Sequence, residues 1–173
     1  MTFPELFEYV QGLSSDRIPQ ALSEMIACEH FAQYLNMTRK TRYDGVSKDF
    51  TVEDDGVDVK IYESDNYDTN IYIQVTRSRE YDMSPQSSEH PVVLDGKPII
   101  DSLEYKCSIY QNRGVFTQAI VLLIVGVTPA KIVHELMEHE HFRKPFEDTT
   151  CFSGIYYVTG IDVVELKPLP LVL

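Results

Sequence analysis

Asp58 and Gln74 sit on two segments, 57–63 and 71–77, that read as neighbouring strands of one sheet. Period-two alternation sets Val57, Val59 and Ile61 on one face, with Asp58, Lys60 and Tyr62 on the other. Ile71, Ile73 and Val75 alternate with Tyr72, Gln74 and Thr76 in the same way. If the apolar sets share the core, Asp58, Lys60, Gln74 and Thr76 share the opposite face. A carboxylate and an amide oxygen there are hard ligands of the kind that Mg²⁺ or Mn²⁺ takes. Such a cation polarises a phosphodiester and acidifies a bound water, and a nearby lysine orients or deprotonates that water. Thr76 carries no charge, so that role falls to Lys60, Arg77 or Lys106. Lys60 is the best geometric choice, because an antiparallel hairpin could set it opposite Gln74. Asp49, on the strand before, rivals Asp58; Asp58 is preferred because its strand adjoins that of Gln74 in sequence.

Other groupings are weaker. VHELMEHEHF at 133–142 is near a zinc-protease helix, but His139 stands at the wrong spacing from His134. Its His134/Glu138 and Glu135/His139 pairs read as the solvated face of a helix. No G-x-S-x-G elbow occurs, and the glycines form no phosphate-cradling loop. The three cysteines, Cys28, Cys107 and Cys151, are too few and too widely spaced for a disulfide framework or a zinc site. They read as reduced thiols of a cytoplasmic protein.

These residues need elements to hold them. A helix is expected over 3–13, with Leu6, Phe7 and Val10 on one face. A second is expected from Ser14–Asp16 to Leu35 or Asn36, its apolar face including Ile18, Leu22, Met25, Ile26 and Ala32. A polar loop follows over 37–48, then strands at 49–53, 57–63 and 71–77. Asp54-Asp55-Gly56 turns the first pair and a longer loop at 64–70 joins the second. After an excursion at 78–98 come a helix over 99–113, a buried strand within 115–127, a helix capped by Thr128-Pro129 over 129–142, and one or two closing strands.

In this order, GVDV on the second strand and IQV on the third resemble the restriction-endonuclease-like, or PD-(D/E)xK, nuclease superfamily. The Mrr-type branch carries a G-[IV]-D strand followed by a Q-x-K strand. GVD at 56–58 matches the first element, and Gln74-Val75-Thr76 matches the second except at the lysine. The resemblance covers roughly residues 20–127 of the chain. It implies an α/β fold with a restriction-endonuclease-like αβββαβ core, a mixed central sheet flanked by helices, and a Mg²⁺- or Mn²⁺-dependent endonuclease acting on DNA. It also implies metal ligation by Asp58 and Gln74 with an acid from the preceding helix, Glu29 first and Glu24 behind it. The departure at Thr76 leaves open a non-catalytic module that keeps the fold and binds a protein partner.

Composition bounds these readings. With 173 residues and 43% hydrophobic content the chain suits one domain, its core over about 16–127. A net charge of −12 disfavours tight, unspecific DNA binding, although TRKTR at 38–42, Lys48, Arg77 and Arg79 are locally basic. The longest apolar run, 119–127, falls short of the roughly 20 residues that cross a bilayer, so no membrane partner is expected.

Overall fold

A computed structural model describes residues 1–13, 20–48, 58–79, 95–113 and 120–170. They build α1 (Phe3–Gln11), α2 (Gln20–Arg39), β1 (Gly45–Ser47), β2 (Val59–Glu63), β3 (Asn66–Arg77), α3 (Lys97–Arg113), β4 (Ile120–Val125), α4 (Ala130–Met137), α5 (Glu140–Asp148), β5 (Gly154–Thr159) and β6 (Asp162–Lys167). The strands form one mixed sheet in sequence order. β3, β4 and β5 run parallel, and the outer pairs are antiparallel.

Side-chain alternation divides the core in two. Val59, Ile61, Ile73, Val75, Val121, Leu123, Tyr156 and Val158 pack with α2 on one face. Leu122, Ile124, Ile155, Tyr157, Val164 and Leu166 pack with α3, α4 and α5 on the other. β4, IVLLIV, is apolar throughout because both faces of a central parallel strand are covered. α2 earns its place through Leu22, Met25, Cys28, Phe31, Ala32 and Leu35, a stripe at helical spacing. In α1, Leu6 is buried, whereas Phe7 is exposed rather than sharing that face.

Several boundaries differ from expectation. α2 runs one turn further, to Arg39, and stops where Lys40 takes a left-handed φ of 56°. The stretch 37–48 is not all loop, since Gly45–Ser47 forms β1. Its sequence gives little strand signal because β1 is a three-residue edge, placed by Asn36, whose amide clasps both the N–H and the C=O of Tyr43 at 2.8 Å. Gly45 is required there, because a Cβ would lie 2.3 Å from the Tyr62 ring. The expected loop at 64–70 shrinks to Ser64-Asp65: Glu63 pairs with Asn66, so polar residues extend β3. The single helix expected over 129–142 breaks at His139, whose backbone is extended, and Pro129 stands at its N-cap. Residues 1–3 lie along the outer edge of β1, with Val46 N–H donating to Met1 O and Phe3 N–H to Asp44 O. The expected strand at 49–53, its turn at 54–56, the capping residues 14–16 and most of the excursion at 78–98 lie outside the described residues.

Candidate functional site

Asp58 directly precedes β2 and faces Gln74 across the ladder, its N–H donating to Ile73 O at 2.9 Å. Its carboxylate oxygen Oδ2 accepts the Val75 N–H at 2.9 Å and the Gln74 side-chain N–H. Gln74 is 5% exposed. Its Nε2 also donates to Val75 O, and its Oε1 accepts the hydroxyl of Tyr110 from α3. A buried amide must satisfy all its polar atoms, and this one does so by linking β2, β3 and α3.

Asp58 feels charges from both helical layers. Burial pushes its pKa up, as does Glu24 of α2; the Val75 N–H, Lys106 of α3 and Lys48 after β1 pull the other way. Lys48 and Glu24 form an ion pair of low exposure. Cys28, one turn after Glu24, is fully buried; burial first, then Asp58 and Glu24, drives its thiol pKa well up. Glu24 and Asp58 thus both disfavour the Cys28 thiolate, and Glu24 also disfavours the Asp58 carboxylate. Among the described residues, the formal charges of Glu24 and Asp58 are matched by those of Lys48 and Lys106, the groups that act on Asp58.

The expected residues are thus only partly brought together. Asp58 and Gln74 meet. Lys60 does not stand opposite Gln74: it pairs with Tyr72, because the register sets Val59 against Ile73. Glu29 lies roughly 140° around α2 from Glu24, and its carboxylate accepts from Gln33 at 3.2 Å. Glu24 is the acid on the Asp58 side, and Lys106 and Lys48 are the cations acting on it. The buried stripe of α2 carries the missed signal, since Glu24 and Cys28 are four apart. Gln74 turns its N–H, not its oxygen, toward Asp58, so it orients the carboxylate rather than adding a ligand. Asp49 lies outside the described residues.

Elsewhere, His134, Glu135, Glu138 and His139 are exposed, and among the described residues no three His, Cys, Asp or Glu side chains form a metal-holding group. A cavity of about 520 Å³ opens at the other end of β3, lined by Leu35, Tyr43, Asn70, Ile71, Val121 and Leu169, away from Asp58.

The described residues define an α/β protein with a mixed six-stranded sheet between helical layers. Among them, no helix is long and apolar enough to cross a membrane. No family model, no curated protein and no solved structure matches the chain.

Proposed function

We propose that this chain carries a restriction-endonuclease-like core of the Mrr type and acts as a metal-dependent DNA endonuclease at the end of β2 and β3. The observation that carries the reading is the meeting of Asp58 and Gln74 on adjacent strands, with Glu24 and Lys106 acting on the same carboxylate. Asp58 and Glu24 fit Mg²⁺ or Mn²⁺, which take one or two carboxylates and complete their shell with water and phosphate oxygens. Such a cation, when bound, supplies Lewis acidity toward the phosphodiester and acidifies a water. Gln74 holds Asp58 in orientation. Lys106 supplies the positive charge that Thr76 lacks and positions the attacking water or offsets developing charge. Arg77 and Arg79 are exposed beyond Gln74, and the Arg79 guanidinium lies 4.7 Å over the Tyr105 ring. They give this end a basic rim for the phosphate backbone, despite the net charge of −12.

Supercoiled plasmid incubated with the protein and Mg²⁺ or Mn²⁺ tests this. Nicking should fall about 10²–10⁴-fold in Lys106→Met and vanish in Asp58→Ala. Nicking that survives unchanged in both variants would sink the site.

The bond from Tyr110 to Gln74 Oε1 favours a second reading, a non-catalytic module in which the same groups staple the sheet to α3. Its acidic surface then meets a basic protein partner. Calorimetry with Mn²⁺ separates the two: heat lost in Asp58→Ala supports the nuclease, and no heat in the wild type supports the module.

A further inference from the structure

Cys107 and Cys151 are 44 residues apart in sequence, yet α3 and the segment before β5 bring their thiols together. Cys107 Sγ lies 3.6 Å from Thr149 Oγ1, which also accepts the Cys151 N–H at 3.2 Å. One turn along α3, Gln111 Nε2 donates to Cys151 Sγ at 3.6 Å. Both cysteines are partly exposed, while Cys28 is fully buried. Lys167 Nζ holds this segment through the carbonyls of Thr149 and Phe152, at 2.6 and 2.9 Å, and its charge acts on the Cys107 thiol.

We propose that Cys107 and Cys151 are a peroxide-oxidisable dithiol that closes an intramolecular disulfide between α3 and the segment preceding β5. Burial, then the contact with Cys151, pushes the Cys107 pKa up to about 12, so Cys107 stays protonated and is a poor opening nucleophile. Cys151 attacks hydrogen peroxide: its sulfur gains an oxygen, the O–O bond breaks, and one water leaves. Cys107 sulfur then displaces that hydroxyl, its proton leaves with the hydroxyl as a second water, and the S–S bond forms. Two thiols and one peroxide thereby become one disulfide and two waters. Closure fixes α3, the helix that carries Lys106 and Tyr110.

The folded chain, treated with hydrogen peroxide, cleared of excess peroxide and then denatured in N-ethylmaleimide, should take up one maleimide in place of three. Mass spectrometry of the unreduced digest should find Cys107 and Cys151 linked within a monomer and Cys28 alkylated. In Cys107→Ser, dimedone should label Cys151 and no link should form. A titre that stays at three, links only between chains, or a link to Cys28 would overturn the proposal. The titre and the digest are read on the wild type, so they hold even if Cys107→Ser fails to fold.

Discussion

Gln74 shows how one buried side chain can join three elements without a charge of its own. Its N–H groups serve Asp58 and the Val75 carbonyl, and its oxygen serves Tyr110. The neighbouring Asp58 is different, because burial lifts its pKa above the ordinary 3.8. The folded state therefore binds the Asp58 proton more readily than the unfolded state does. Between 3.8 and the raised value, unfolding releases that proton, so this group's contribution to stability falls as pH rises and then levels off. Denaturation across the acid range should show the stability of the wild type relative to Asp58→Asn declining through that window. A difference flat with pH would mean that Asp58 is not held as described. Strand alternation made the Asp58–Gln74 pair legible. Glu24 and Lys106 stood among the sequence candidates but ranked behind Glu29 and Lys60, and Tyr110 was not read as a partner, because the register and the tertiary packing decide which candidate reaches the strand end.

At the level of elements, the helices beyond the sheet depend on one backbone point. Gly96 precedes α3 with φ of 66°, and a Cβ there would meet the Phe142 ring of α5 at 2.3 Å. Gly96→Ala combines left-handed strain with a clash against a fully buried ring. It should cost about 2–4 kcal/mol, read as a lowered urea midpoint with an unchanged slope. An unchanged midpoint would show that α3 and α5 are not pinned together here. Long apolar or amphipathic elements were readable, as with β4 and the stripe of α2. Elements fixed by tertiary partners escaped: β1 is three residues held by Asn36, and the polar start of β3 is strand because Glu63 pairs with Asn66. The break between α4 and α5 falls within a run that is helical by pattern, and no local proline or glycine announces it.

For the molecule as a whole, a net charge of −12 means that folding gathers repelling charges. Salt screens repulsion between exposed groups over about 10 Å at 0.1 M, so the melting temperature should rise from low to physiological ionic strength, read by scanning calorimetry. A fall would point to ion pairs outweighing the repulsion. The strip formed by residues 1–3 against β1 has a separate consequence. An open strand edge is a template on which another chain can add a strand and begin to aggregate. Met1 and Phe3 occupy that template along β1, and at the far edge β6 carries Asp162, Glu165 and Lys167, charges that a docking strand would have to desolvate. The sheet is thereby protected from propagating into its neighbours at both margins, by a borrowed strand on one side and by charge on the other.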